Sequence, residues 1–197
     1  MTKRYDRAYF DKWYRNPRSR VNADAEVRRK VALALSTAEY FLRRNARNVL
    51  DIGCGEGAWR SHLRALRPTI AYAGIDPSEY VVEQFGKERN IRRGGFGELT
   101  SLNLARADLV VCSDVLHYVP ESEIREGVAE IARLCNGLAF IEVLTSEDDI
   151  IGDLDGLIRR SSAWYRRTFA KAGLVEVGAY CWLSPKLRDS VAEMESH

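Results

Sequence analysis

The fold of this chain is decided by residues 49–59, which read VLDIGCGEGAW. A short apolar strand runs into a turn with three glycines, and a helix opens directly behind the turn. Glycines allow the backbone to turn tightly and to approach a ligand closely. A glycine-rich turn after the first strand is where doubly wound α/β folds bind adenosine-containing cofactors. We therefore expect a cofactor site at this turn.

Strand-like and helix-like segments alternate along the rest of the chain. This alternation predicts a mostly parallel sheet with helices on both faces. The apolar periodicity predicts helices at 24–44, 58–66, 78–88, 121–134 and 157–172, and a final helix at 188–195. It predicts strands at 48–52, 70–75, 91–97, 107–112, 138–144 and 175–183.

Length and composition indicate a single globular domain. The chain has 197 residues, of which 46% are hydrophobic and 29% charged, a profile that excludes a disordered chain. No apolar run approaches the roughly 18 residues of a membrane helix. The N-terminus lacks the apolar segment of a secretory signal, so we expect a cytoplasmic protein. The four cysteines lie far apart with no zinc-binding spacing, and no metal is predicted.

The charge is unevenly distributed. Residues 1–47 carry 13 Lys/Arg and 5 Asp/Glu, whereas residues 48–197 carry 17 and 23. A basic N-terminal segment is able to dock an anionic partner. The same pattern is typical of a solvated helix surface, which we favour.

Two adenosine cofactors compete for the glycine turn. The pattern Gly53-x-Gly55-x-x-Ala58 also satisfies the dinucleotide-binding fingerprint. Asp51 argues against a dinucleotide, because a carboxylate at that point repels a pyrophosphate but accepts a hydrogen bond from the ammonium group of a methionine moiety. The additional Gly57 and the long helical segment before the first strand also favour S-adenosylmethionine.

Four segments together resemble the class I S-adenosylmethionine-dependent methyltransferases, especially the small bacterial enzymes that act on low-molecular-weight substrates. Residues 50–57, 72–78 and 108–118 are similar to the family's first, second and fourth motifs, and residues 169–174 to the helix end before its sixth strand. The resemblance implies a Rossmann-like, doubly wound sheet in the order 3-2-1-4-5-6, with S-adenosyl-L-methionine as cofactor and S-adenosyl-L-homocysteine as product. Few residues follow residue 183, so the family's antiparallel seventh strand is expected to be missing or short.

Cofactor contacts are predicted at the ends of the strands. Asp76 closes the second strand 23 positions after Gly53, where a carboxylate holds the ribose hydroxyls; the alternative role is an N-cap of the next helix. Gly95 stands where the family often has an acid, and Glu98 is the candidate to serve instead. Phe96 either stacks on the adenine or packs in the core. The predicted cofactor-binding set is Asp51, Gly53, Cys54, Gly55, Glu56, Gly57, Asp76, Pro77, Phe96, Gly97, Ser113 and Asp114, with Tyr9, Trp13 and Arg20 from the N-terminal segment.

Catalysis is predicted at the end of the fourth strand. Methyl transfer needs the nucleophile to be positioned, and a general base is required only if a proton must leave early. His117 is the candidate base because an imidazole titrates near neutrality; a purely structural role for His117 is the alternative. Asp114 is placed either to orient His117 or to contact a substrate amine. The predicted substrate-binding residues are His117, Tyr118, Tyr14 and Trp164.

The aromatic N-terminus predicts a lid. Five aromatic residues between residues 5 and 14 require an apolar cover, so residues 5–20 are expected to fold over the cofactor. The domain then comprises a helical lid segment (1–47), a cofactor-binding core (48–183) and a tail (184–197). The acidic stretch 147–155 is interpreted as a polar lid or insertion, able to attract a cationic amine substrate, and not as a metal site.

The predicted function is methyl transfer to a nitrogen or oxygen of a small molecule. Two signatures of base-modifying methyltransferases, an Asp/Asn-Pro-Pro-Tyr/Phe tetrapeptide and a Pro-Cys pair, are missing from the sequence, which disfavours a nucleic-acid substrate. Two alternatives stay open. One is a protein or nucleic-acid methyltransferase that docks its substrate on the basic N-terminal segment, and the other is a non-catalytic cofactor-binding module.

Overall fold

The computed structural model describes residues 5–16, 23–149 and 152–191. Helix α1 (Arg7–Phe10) continues as a π-helical turn (Asp11–Arg15), and helix α2 (Asp24–Leu42) follows. Strands and helices then alternate as β1 (Asn48–Ile52), α3 (Ala58–Leu66), β2 (Ala71–Asp76), α4 (Glu79–Arg89), β3 (Ile91–Arg93), β4 (Ala107–Ser113), α5 (Glu121–Leu134), β5 (Cys135–Glu142), α6 (Ser162–Lys171), β6 (Val175–Gly178) and β7 (Cys181–Leu183).

The seven strands form one sheet in the order β3-β2-β1-β4-β5-β7-β6. Strands β1 to β5 run parallel to their neighbours in this group, and β7 runs antiparallel to both β5 and β6. The chain reverses its direction across the sheet between β1 and β4. In doubly wound folds this switch point, at the carboxyl ends of the strands, is where ligands bind. The Rossmann-like fold is therefore confirmed.

The C-terminal part of the sheet corrects one prediction. The sequence predicts a single strand over 175–183, but the structure has a hairpin of β6 and a three-residue β7. The hairpin turns at Ala179 and Tyr180, which both have left-handed φ angles of 49° and 65°. Such turns are usually marked by Asn or Gly, and this pair carries no such signal. The seventh strand is present, although short, and it lies between β5 and β6.

The end of the chain is described only as far as residue 191, so the predicted tail helix is not tested. The sequence predicts a helix at 188–195, whereas the structure has a 3₁₀ helix over Pro185–Ser190. Residues 192–197 lie outside the described residues.

Helices cover both faces of the sheet and bury two apolar layers. On one face α2 and α3 pack with Val31 and Leu63 completely buried. On the other face α5 and α6 pack with Val128 and Phe169 inaccessible to solvent. Each such side chain stabilises the fold by about 1.5–3 kcal/mol through burial. The packed layers hold the loops at the carboxyl ends of the strands in place.

No helix among the described residues has the length and apolar composition needed to span a membrane.

Candidate functional site

Asp76 holds the glycine turn in shape. Gly53, Gly55 and Gly57 all have positive φ angles, 69°, 51° and 76°, which glycine adopts at little cost. The buried carboxylate of Asp76 accepts hydrogen bonds from the backbone N of Gly55 (2.7 Å) and of Ser78 (2.9 Å). Burial raises the pKa of Asp76. Each oxygen keeps a second lone pair, so the carboxylate is still able to accept from a ligand hydroxyl.

Asp51 lies at the end of β1 with only 2% of its surface exposed. Its carboxylate accepts a hydrogen bond from the Tyr72 hydroxyl at 2.7 Å. Burial raises the pKa of Asp51 to about 7; the Tyr72 bond lowers this pKa and the charge of Asp76 raises it. Asp51 therefore exchanges a proton near neutral pH, and a cationic ligand would favour its ionised form.

Two cavities open above the carboxyl ends of β1 and β4. The smaller has a volume of about 180 Å³, and its walls include Asp76, Pro77 and Phe96. The larger has a volume of about 490 Å³ and lies between α2, Asp51 and the ends of β4 and β5. The residues that line both cavities are Tyr9, Tyr14, Gly53, Asp114 and Tyr118. The two cavities thus adjoin, and one elongated ligand is able to span them.

Where the cavities adjoin, neighbouring side chains lie so close to the glycine turn that only glycine fits there. A Cβ atom at Gly53 would lie 2.3 Å from Cγ2 of Val115, and one at Gly55 would lie 3.1 Å from the Tyr14 hydroxyl. Val115 itself lines the smaller cavity. Gly53 lines both cavities, so a larger residue there would have to displace Val115 from the cavity wall.

The N-terminal segment 5–16 packs over both cavities. Phe10 is buried, and its ring lies 4.9 Å from that of Tyr14 and 5.7 Å from that of Tyr80. Arg15 forms an ion pair with Glu56 in the glycine turn and donates a hydrogen bond to the Tyr80 hydroxyl at 3.2 Å. The segment is therefore attached both to the turn and to α4.

A π-helical turn decides which aromatic side chains face the cavities. The backbone N of Asn16 bonds to the carbonyl of Asp11, five residues earlier, at 3.1 Å. Tyr9 and Tyr14, also five residues apart, both line the cavities. The sequence places Trp13 with Tyr9 on the assumption of α-helical spacing. In the structure Trp13 lies outside both cavity walls, and the Lys12 ammonium sits 4.3 Å from its ring.

A charged group lies at the adjoining ends of β4 and β5. The Glu142 carboxylate accepts hydrogen bonds from Lys30 Nζ at 2.8 Å and from Ser113 Oγ at 2.5 Å. Burial and the charge of Asp114 raise the pKa of Glu142, against the effect of Lys30 and Ser113. Asp114 adopts a left-handed backbone conformation with φ of 59°, and its N–H donates to the Glu142 carbonyl at 3.1 Å. This turn directs Asp114 into the wall of both cavities.

His117 lines the larger cavity and is 1% exposed. Its Nδ1 accepts a hydrogen bond from the backbone N of Leu144 at 3.2 Å. In the neutral imidazole this bond places the proton on Nε2, which makes that atom a donor. The arrangement favours a hydrogen-bond donor over a general base, and base catalysis by His117 stays a prediction.

Most of the predicted site residues come together, and a few do not. Cys54, Glu56 and Ser113 line the larger cavity, as His117 does. Gly57 and Gly97 lie just behind the walls: a Cβ at Gly57 would meet Ile91 and one at Gly97 would meet Glu123.

Trp164 lies in α6, packed against the core beneath the Arg160 guanidinium, away from both cavity walls. Arg20 lies outside the described residues.

Several wall residues were not identified from the sequence. Glu26 and Lys30 of α2 line the larger cavity, as do Glu142 of β5 and Asp153. Glu123 of α5 lines the smaller one. The signal in α2 was available: Glu26 and Lys30 form a charged i, i+4 pair directly beside the buried stripe of Val27 and Val31.

Two acids of the 147–155 stretch hold turns of their own loop. Asp148 Oδ2 accepts hydrogen bonds from the backbone N and the hydroxyl of Thr145, both at 2.8 Å. Glu147 accepts from the backbone N of Ser162 at 3.1 Å. These contacts fit the interpretation of a polar loop.

The residues present fit S-adenosylmethionine. Gly53 lines both cavities, Asp76 suits ribose hydroxyls, and Asp51 suits an ammonium group. A dinucleotide would instead bring its pyrophosphate towards two buried carboxylates, which is unfavourable.

Comparisons with known proteins agree with this fit. A family model described as a methyltransferase domain matches residues 20–182. The malonyl-[acyl-carrier protein] O-methyltransferase of Legionella pneumophila is 25% identical over 183 residues, covering 87% of this chain and 61% of the relative. The chain thus spans about three fifths of that relative's length.

Solved structures share the fold at low sequence identity. A SAM-dependent methyltransferase from Archaeoglobus fulgidus superposes with a TM-score of 0.63 at 16% identity, covering 86% of this chain and 74% of that one. Human N-acetylserotonin methyltransferase, solved in complex with SAM, superposes with a TM-score of 0.52 at 20% identity, covering 82% and 55%. With the matched family model over most of its length, the chain belongs to the methyltransferase domain family, among the class I S-adenosylmethionine-dependent methyltransferases.

Proposed function

We propose that this chain transfers the methyl group of S-adenosylmethionine to a nitrogen or oxygen of a small molecule. The observation that carries the proposal is the pair of cavities that adjoin at Gly53 and Asp114. The smaller suits an adenosine, and the larger has room for a methionine moiety and an acceptor beside it. The activated methyl group that the cofactor supplies when bound would then belong where the cavities adjoin.

Different residues of the chain bind different parts of the cofactor. Asp76 accepts from ribose hydroxyls while it holds Gly55, and Phe96 and Pro77 provide apolar walls for the adenine. Asp51, at the end of β1, accepts from the ammonium group of the methionine moiety. Tyr9 and Tyr14 line the place where the cavities adjoin, where a closed lid would exclude water.

The acceptor is held by the walls of the larger cavity. His117 offers its Nε2 proton to an acceptor oxygen or to an anionic group. Asp114 and Glu142 accept hydrogen bonds from a hydroxyl or amine of the acceptor, and they are able to take up the proton that its nucleophile loses. Positioning next to the activated methyl group then supplies most of the rate enhancement.

A small acceptor is favoured over a macromolecule by the position of the N-terminal segment. Phe10, Tyr14 and Arg15 pack onto one another, the glycine turn and α4 beside the cavities, which favours a pocket over the long groove that would suit a peptide or a nucleic acid. The curated relative's acceptor, a malonyl group on a carrier protein, is the alternative that an acceptor screen has to include.

Calorimetry with S-adenosylhomocysteine and with NAD tests cofactor binding. We expect S-adenosylhomocysteine to bind and NAD to show no heat. A screen of metabolite and carrier-protein pools with methyl-labelled S-adenosylmethionine then tests the transfer. Label that appears only in macromolecules, or a preference for NAD, would contradict the proposal.

A further inference from the structure

The larger cavity has a chemical character that narrows the choice of acceptor. Resting on the function proposed above, we propose that the acceptor is a small organic cation that carries an ammonium group, held between the carboxylates of α2, β4 and β5 and the tyrosines of the N-terminal segment. The proposal concerns the substrate class and leaves open which atom of the acceptor is methylated.

The charge of the cavity wall supports a cation. Among the described residues, the wall contains seven Asp and Glu side chains but only three Lys and Arg. Two of the three basic side chains pair with acids of the same wall: Lys30 with Glu142, and Arg15 with Glu56. The cofactor brings an ammonium, a sulfonium and a carboxylate, which is a net single positive charge. The wall therefore remains acidic with the cofactor in place.

An anionic or neutral acceptor fits this wall poorly. Glu142 is 9% exposed and has Lys30 as its cationic partner. Asp114 lines the same wall. Burial and the negative charge of Asp114 raise the pKa of Glu142, so two like charges already repel each other here. An anionic acceptor would add repulsion at low dielectric. The positive charge of an ammonium group instead offsets this repulsion.

Aromatic side chains line the same space. Tyr9, Tyr14 and Tyr118 line both cavities, and the rings of Tyr9 and Tyr14 lie 6.5 Å apart at an angle of 52°. Tyrosine faces attract organic cations, and aromatic walls combined with acidic groups are how proteins recognise ammonium ligands. The aromatic side chains and the charge are independent observations, and both favour the same class of acceptor.

The Lys30–Glu142 pair sets the geometry of this subsite. Lys30 Nζ lies 2.7 Å from Oε1 and 2.8 Å from Oε2 of Glu142, and Ser113 adds a hydrogen bond to Oε2. Two side chains thus fix the carboxylate through three contacts while it still faces the cavity. A fixed carboxylate binds a cation without losing side-chain entropy, which is the advantage of preorganisation.

Three probes of nearly identical shape test the proposal on protein saturated with S-adenosylhomocysteine. They are choline, its neutral analogue 3,3-dimethylbutan-1-ol, and the anion 3,3-dimethylbutanoate. Dissociation constants are measured by ligand-observed NMR. Choline should bind about tenfold more tightly than the alcohol, because a desolvated cation–aromatic contact and a nearby carboxylate together supply at least that factor. The butanoate should bind more weakly still.

Variants of the cavity wall test whether its carboxylates cause the preference for choline over the neutral alcohol. Glu142→Gln should bring choline and the alcohol to within about threefold of each other, since it removes a single charge at constant shape. Asp114→Asn serves as a second variant should Glu142→Gln fail to fold. Glu83→Gln on the exposed face of α4 is the matched control, and its preference for choline should be unchanged.

Three results would overturn the inference. They are equal binding of choline and the alcohol, tighter binding of the butanoate, and no binding of any probe while S-adenosylhomocysteine binds. A preference for choline that survives in both cavity variants would also reject this subsite. If S-adenosylhomocysteine itself does not bind, the proposed function fails. The same experiment therefore distinguishes the failure of the proposed function from the failure of the cation subsite.

Discussion

Lowering the pH from 8 to 6 should weaken the binding of S-adenosylhomocysteine, because Asp51 takes up a proton in this range. Burial places the pKa of Asp51 at about 7 in the ligand-free protein. The carboxylate is then ionised in about nine tenths of molecules at pH 8 and in about one tenth at pH 6. Only the ionised form offers charge to the ligand's ammonium group, so the affinity should fall about tenfold over this interval.

The raised pKa of Asp51 also determines whether the stability of the ligand-free protein rises or falls with pH. The pKa of Asp51 is higher in the folded state than in the unfolded state, so the folded state binds more protons between about pH 4 and pH 7. The contribution of Asp51 to the free energy of unfolding therefore decreases as the pH rises through that window. Asp51→Asn, which cannot ionise, should remove this part of the pH dependence.

Calorimetry at pH 6, 7 and 8 measures the effect on binding. Repeating the pH 6 titration in two buffers with different ionisation enthalpies shows whether about one proton is released on binding, as linkage requires. Asp51→Asn is the isosteric control: its affinity at pH 8 should be lower, and its dependence on pH should be flat. An unchanged affinity of the native protein from pH 6 to pH 8, or an equal slope in the variant, would refute the role of Asp51.

Three further predictions concern the turn and the N-terminal segment. Asp76→Ala should weaken S-adenosylhomocysteine binding by about 1.5–3 kcal/mol, the value of hydrogen bonds to a charged group; unchanged affinity by calorimetry would remove Asp76 from the ribose site. Gly53→Ala places a methyl group 2.3 Å from Val115 at a φ of 69°. Urea denaturation should show that the free energy of unfolding falls by about 1–3 kcal/mol because of backbone strain. A variant as stable as the native protein would contradict this. Deleting residues 1–20 should abolish methyl transfer and weaken cofactor binding while the circular dichroism of the core persists; a truncated protein with native turnover would show that this segment is not a lid.

The parallel part of the fold was accessible from the sequence because local signals agree there with the tertiary structure. Helix α3 begins and ends where the apolar pattern and Pro68 predict, at Ala58 and Leu66. Ser78 caps α4 by accepting from the backbone N of Val81 at 3.2 Å, the role its residue type indicates. The glycine turn and Asp76 lie together because parallel strands end at one edge of the sheet.

The β6–β7 hairpin was not accessible in the same way. Ala179 and Tyr180 turn the chain in left-handed conformations that neither residue type favours. The hairpin is held instead by the pairing of β7 with β5, in which Trp182 lies opposite Ala139. Such pairing depends on residues more than 40 positions apart, and local patterns do not encode it.

The acceptor side of the site depends on long-range contacts as well. Glu142 lies inside a segment whose apolar run predicts only a strand, and Lys30 lies on a helix predicted only to pack. They meet 112 residues apart in sequence. The π-helical turn at Asp11–Arg15 places Tyr14 at the cavity wall as predicted, but not Trp13, since a single added residue in the turn rotates every following side chain around the helix.

The most direct test of the account is a crystal structure of the protein with S-adenosylhomocysteine. We expect the adenosine in the smaller cavity with its ribose hydroxyls on Asp76, and the methionine moiety in the larger cavity beside Asp51. The sulfur should lie where Gly53 and Asp114 join the two cavities. A ligand bound elsewhere, or one whose ribose is out of hydrogen-bond reach of Asp76, would contradict the central claim that the two cavities form one methyl-transfer site.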